Sequence, residues 1–305
     1  MSRFPAIGLA LLLGAALPTA AARDVTIVVA ERSAAYQEAA AAVSQQLAGR
    51  ASVSVVQADA YAPAAGKEPS AIVALGTFAL RAVLSGEPRA PVIASLIPRS
   101  AFEFELRQAP APSSGRRVAA VFLDQPIARQ LNLVRVVLPK RTRIGLLVSA
   151  ATEDTARTLE SAARERGLVV VREAIAGPDG VSPALSRLLG ESDLVLALPD
   201  ASIFNAGTIH NILLSALRAR QPLIGFSEAY VRAGALAAVY SKPEQVGRQA
   251  GEMAASVLGG AALPASQYPR AFSVSVNPTV ARALDIALEE GDAVAARLRQ
   301  MEREP

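Results

Sequence analysis

The chain has 305 residues, 51% hydrophobic and 19% charged, with 31 Lys and Arg against 27 Asp and Glu for a net charge of +4. So small an excess, dispersed apart from short runs such as Arg116-Arg117 and Lys140-Arg141-Thr142-Arg143, argues against a nucleic-acid partner. The lack of cysteine excludes disulfides and thiolate metal sites, and one histidine, His210, is too little to build a zinc site, so neither metal nor cofactor is expected.

At the amino terminus Arg3 precedes an apolar run from Ile7 to Leu17, followed by Pro18-Thr19-Ala20-Ala21-Ala22. Positive flank, short apolar core and small residues describe a secretory signal peptide over 1–22, cleaved after Ala22. The core falls short of the roughly 20 residues that span a bilayer. Without a cysteine to carry lipid, the mature protein is expected to be free in the periplasm. Its length, about 280 residues, exceeds what one hydrophobic core organises, so two lobes are expected.

Short β-branched runs then alternate with helical segments. Strands are predicted at 24–30, 53–56, 71–75, 91–95 and 118–123, with helices at 33–49, opened by Ser33, and at 77–84. Pro126 opens a helix to Leu138, where its missing N–H costs nothing. A second series follows: strand 143–149, helix 152–166 ended by Gly167, strand 168–172, a helix opened by Ser182-Pro183, strand 194–198, helix 202–220 and strand 222–226. Near-continuous apolar strands separated by helices indicate parallel sheets covered on both faces. The fold expected is α/β, two doubly wound parallel-sheet lobes joined by a multi-strand hinge. Segments 235–240, 243–258 and 271–276 read as return crossings between the lobes, and 279–301 as a helical tail. The first lobe is thus placed at 23–121 with a return segment at about 241–272, and the second at 122–240 with a carboxyl-terminal segment at about 273–305. Residues 60–69 read as a surface loop.

Leu131 to Leu147 (LNLVRVVLPKRTRIGLL), Ser192 to Asp200 (SDLVLALPD), Pro222 to Phe226 (PLIGF), Val231 to Ala237 (VRAGALA), Val246 to Ala250 (VGRQA) and Leu258-Gly259-Gly260 leading to Asn277 occur in an order that resembles the ABC-transporter substrate-binding proteins of the type I periplasmic fold. The resemblance covers about residues 70 to 286. It implies a small solute gripped between two lobes, some relatives binding aromatic amino acids, and an inner-membrane ABC permease as partner. Two turns depart from the pattern. Relatives that hold amino acids commonly carry a Thr-Asp-Pro-like turn where this chain has Ile97-Pro98-Arg99, and an Asn-Ser pair where it has Ala150-Ala151-Thr152.

Ligands of open parallel sheets sit beyond the carboxyl ends of the strands, where helix amino termini present free N–H groups. Gly76 and Thr77, after strand 71–75, could hold a carboxylate, or Thr77 could simply cap its helix. Asp200 could accept from an ammonium or hydroxyl group, or cap the helix expected near Ser202. Phe226, Ser227 and Glu228 follow another strand, with Phe226, Tyr230 and Tyr240 the candidates for a stacking wall or, alternatively, core. On the first lobe Ser33 follows strand one, and Arg99 offers a fork suited to carboxylate or phosphate. Asp124-Gln125-Pro126, at the first crossing, is expected to set hinge geometry and start the helix, with Gln125 a possible cleft contact, and His210 reads as a helix-surface or interface residue.

No G-x-S-x-G elbow, P-loop, H-E-x-x-H or dinucleotide fingerprint occurs, so no catalytic residue is assigned and the chain is not expected to be an enzyme. Two other functions stay open at this point: a ligand sensor of the same fold, and a secreted hydrolase.

Overall fold

The computed structural model describes residues 23–63, 68–110, 117–177 and 180–303. The leader expected over 1–22 and part of the loop expected over 60–69 lie outside the described residues.

Strands β1 (Asp24–Val29), β2 (Ser52–Gln57), β3 (Ala71–Leu75), β4 (Val92–Ile97) and β5 (Val118–Phe122) form a five-stranded parallel sheet in the order β2-β1-β3-β4-β5. Every residue of β3 is buried, because helices cover both faces, and this is why the strand is an unbroken apolar run. Along β1, Val25, Ile27 and Val29 enter one core and Val28 the opposite one. The first core is closed by α1 (Ala34–Leu47) and α9 (Pro243–Leu258), the second by α2 (Thr77–Ser85) and α3 (Arg99–Gln108). Helix α1 presents Ala39, Ala40, Val43 and Leu47 as one apolar stripe. It meets α9 so closely that a Cβ on Gly247 would lie 2.5 Å from the Ala39 carbonyl oxygen.

The second sheet has six strands, β6 (Arg143–Val148), β7 (Val169–Ala174), β8 (Leu194–Leu196), β9 (Leu223–Gly225), β10 (Ala237–Tyr240) and β11 (Ser273–Val276), in the order β11-β10-β9-β8-β6-β7. All its pairs are parallel except β10 with β11. On one face lie α4 (Ile127–Val137), α5 (Glu153–Arg164), α10 (Pro278–Ala283) and α11 (Gly291–Met301). The other carries α6 (Val181–Glu191), α7 (Ile209–Arg218) and α8 (Glu228–Ala233).

The chain passes between the two sheets at residues 123–126, 241–242 and 268–272. Gln267 still pairs with Val121 beside the first sheet, whereas Phe272 enters the second core. One buried guanidinium ties these passages together. Arg129, 5% exposed, donates to Gln125 Oε1 at 2.8 Å and the Pro269 carbonyl at 3.0 Å, lies 4.1 Å over the Phe272 ring, and grips both carboxylate oxygens of Glu302. Gln125 in turn donates to Ser241 at 3.0 Å, and Ser241 to the Ala271 carbonyl at 2.7 Å.

Several elements differ from the sequence reading. Segments 235–240 and 271–276 mainly hold β10 and β11, which extend the second sheet, and the crossings lie beside them at 241–242 and 268–272, with α9 between them on the first sheet. Helix α3 went unread because only Phe102 and Glu105 of its residues are buried, which leaves no apolar period. The short α8 was unread as well. The helix expected at 202–220 begins only at Ile209, residues 201–207 being held in turns by Asp200, Asn205 and Thr208. The tail is two helices, broken around Asp285 at φ 57°. Strand β4 runs on to Ile97 through Leu96, a non-glycine residue at φ 52°, where its register with β5 shifts.

Candidate functional site

A cavity of about 310 Å³ opens where the carboxyl ends of β8, β9 and β10 meet the first crossing. Its size is at the lower end of ordinary ligand pockets. Leu196, Ile224 and Val239 form its apolar base together with Leu133 of α4. Three rings make one wall. Phe226 and Tyr230 have centroids 4.3 Å apart, and Phe204 stands edge-on to both at 6.2 and 6.4 Å. Gly225 makes this possible, since a Cβ there would lie 2.7 Å from Tyr230 Cβ. The Tyr230 hydroxyl donates to the Phe204 carbonyl at 2.9 Å. Burial pushes its pKa up to about 12, so it stays a donor at neutral pH.

Asp200 lines the cavity but is already saturated. Oδ2 accepts from Ser149 Oγ at 2.5 Å and Thr152 Oγ1 at 3.2 Å, and Oδ1 from the Ser202 amide at 2.9 Å and Ser202 Oγ at 2.6 Å. The residue pins the turn after β8 to the turn after β6. It caps no α-helix, because the segment that follows is that turn and not the helix expected there.

Asp124 lies across the cavity, at the first crossing. Its Oδ2 accepts the Arg99 backbone amide at 2.6 Å. Burial raises its carboxyl pKa above the usual range, with the Arg99 amide opposing the shift. Gln125 and Ser241, at the first and second crossings, complete the polar rim.

Of the residues singled out from sequence, Asp200, Phe226, Ser227, Tyr230, Tyr240 and Gln125 come together at this cavity. Ser33, Gly76, Thr77, Arg99 and Glu228 are not among its lining residues. Ser33 precedes α1 without a side-chain capping bond. Gly76, at φ 95° and ψ 164°, is the residue that precedes α2, and Thr77 is the first helical residue, so Thr77 does not cap. The Tyr36 ring covers Gly76. The Arg99 fork is engaged within the chain, by Glu103 at 2.7 Å and Tyr268 at 3.2 Å, and these bonds raise its pKa further. Glu228 is exposed and pairs with Arg232 at 3.0 Å. His210 is exposed on the first turn of α7. Sequence reasoning missed Phe204, hidden inside a stretch read as helix, and Asp124, read as a hinge residue; the Pro that follows Gln125 was the one signal that the chain turns there.

Two α/β lobes, three passages between them and a ring-lined cavity beside the passages define a substrate-binding protein of the type I periplasmic fold. The chain belongs to the family of ABC transporter substrate binding proteins, whose model matches residues 24–298. It is 29% identical over 137 residues to a tyrosine-binding protein of Clostridioides difficile, an alignment covering 44% of this chain and 39% of that relative, so the chain spans about two fifths of the relative's length. Among solved structures it is similar to a Streptococcus pneumonia domain in complex with L-Trp (18% identity, TM-score 0.63, covering 90% of this chain and 98% of that one). It is also similar to a ligand-free, open substrate-binding protein with adhesive properties from Clostridium difficile (17% identity, TM-score 0.68, covering 88% and 96%).

Proposed function

We propose that the chain is exported by its 1–22 leader and acts in the periplasm as the solute receptor of an ABC permease, without turnover of its own. Its lobes, 23–121 with 241–272 and 122–240 with 273–305, close on a small ring-bearing solute. The convergence of Phe204, Phe226 and Tyr230 on one cavity beside the crossings carries this reading, since aromatic walls favour flat apolar ligands. The tyrosine-binding relative and the L-Trp complex support the aromatic class. Thermal denaturation of the mature protein against aromatic amino acids, amines, nucleosides and aryl acids tests it. A ligand at a hundred times its Kd adds about 2.7 kcal/mol. The expected result is a clear rise in Tm with at least one ring-bearing solute, diminished by Phe226→Ala; no rise with any of them overturns the reading.

A further inference from the structure

The cavity's hydrogen-bond donors are largely used inside the protein. Tyr230 donates to Phe204, Ser241 to Ala271, Gln125 to Ser241, and Gln130 Nε2 to the Gln125 carbonyl at 2.9 Å. The Tyr240 hydroxyl shares a hydrogen with Ser275 Oγ at 2.9 Å, and the Ser227 hydroxyl makes no capping bond, so the side-chain donors left to a ligand are this last hydroxyl and the second amide N–H groups of Gln125 and Gln130, all uncharged. Acceptors are differently placed. Asp200 is fully used, but Asp124 accepts hydrogen bonds only from the Arg99 amide and its own, with the charges of Arg99 and Glu103 nearby, and no lysine or arginine stands among the described residues that line the cavity. The one guanidinium on the adjoining turn, Arg99, is held by Glu103 and Tyr268.

A ligand carboxylate would therefore be desolvated in the company of two protein carboxylates, with no cation lining the cavity and Arg99 already held by Glu103, an expensive arrangement. An ammonium group would find Asp124 as a charge-assisted acceptor and the ring wall for a cation–π contact. We infer that the solute is an arylalkylamine, an aromatic ring joined to an amine and lacking a carboxylate, with its ammonium at Asp124 and its ring against Phe226 and Tyr230. This rests on the cavity being the binding site proposed above.

Isothermal titration of the mature protein with tyramine, tyrosine and 3-(4-hydroxyphenyl)propionate separates amine from carboxylate on one ring. The expected order is tyramine at least tenfold tighter than tyrosine, with the propionate weakest, and Asp124→Asn weakening tyramine at least tenfold. Tyrosine or the propionate binding as tightly as tyramine, or tyramine affinity unchanged in Asp124→Asn, overturns the inference while the ring-binding cavity stands. Failure of every ring-bearing solute overturns both.

Discussion

The second-lobe side of the cavity and the first-lobe edge near it are built on different terms. The second-lobe side has three packed rings, an apolar base and Asp200 with four donors. Its carboxylate and its Tyr230 hydroxyl are already satisfied within the protein. The first-lobe edge is made of constrained backbone: Gly76 in a conformation open essentially to glycine alone, Leu96 at φ 52°, and Arg99 turned toward Glu103. Between them stands Asp124, whose carboxylate accepts only backbone amides and feels the Arg99 charge without a direct ion pair. In the proposed reading the ring wall serves both stability and recognition, whereas Asp124 serves recognition alone.

Substitutions can break or sharpen that contrast. Phe204, 4% exposed, packs in the second core as well as on the wall, so Phe204→Ala should cost about 3–5 kcal/mol in urea denaturation. A cost under about 1 kcal/mol, of the size usual for surface changes, would make the wall a loose cover and undo the contrast. At the first-lobe edge, Gly76→Ala would place a Cβ 2.6 Å from the Tyr36 hydroxyl and 2.9 Å from Ala30 Cβ, in a backbone region closed to L-residues. The expected cost is about 2 kcal/mol, read from the same denaturation midpoint. Tyr36 can swing away, but Ala30 belongs to the backbone framework, so a negligible cost would mean that this edge yields.

The alternation of strand and helix was legible because buried parallel strands are near-continuous apolar runs, as β3 and, after Arg143, β6 show. Membership of β10 and β11 in the second sheet was not, since pairing order depends on contacts distant in sequence: Ala237 meets both Ile224 and Val276. Helix α3 escaped because its buried positions include Glu105, a charge that its partner Arg81 makes tolerable and that no periodicity scan counts as core. At the site, the rule that ligands gather at strand carboxyl ends led to Asp200, Phe226 and Ser227. The same rule also led to Gly76, Thr77 and Arg99, which line no part of the cavity. Whether a strand-end side chain has already found a partner, as Asp200 has in Ser149, is a matter of three-dimensional neighbours that spacing does not encode.

The smallest effect expected is the most discriminating. Because burial raises the Asp124 carboxyl pKa, its ionised form is less favoured in the folded chain than in the unfolded one. A raised folded-state pKa contributes stability that is fully present below the unfolded carboxylate value, near 3.9, and is lost as pH rises through the folded value. At neutral pH, then, the ionised aspartate is a net cost, offset in part by the Arg99 amide, which an asparagine carbonyl can still accept. Asp124→Asn should raise Tm slightly at pH 7, and the gain should vanish on acidification as the wild-type carboxyl takes up its proton. Paired thermal melts of the two proteins at pH 7 and pH 3.5 give the comparison. A variant less stable than wild type at pH 7 would place Asp124 among the structural residues with Asp200. A variant more stable there and weaker in amine binding would show a carboxylate kept at this crossing for its ligand and against the stability of the fold.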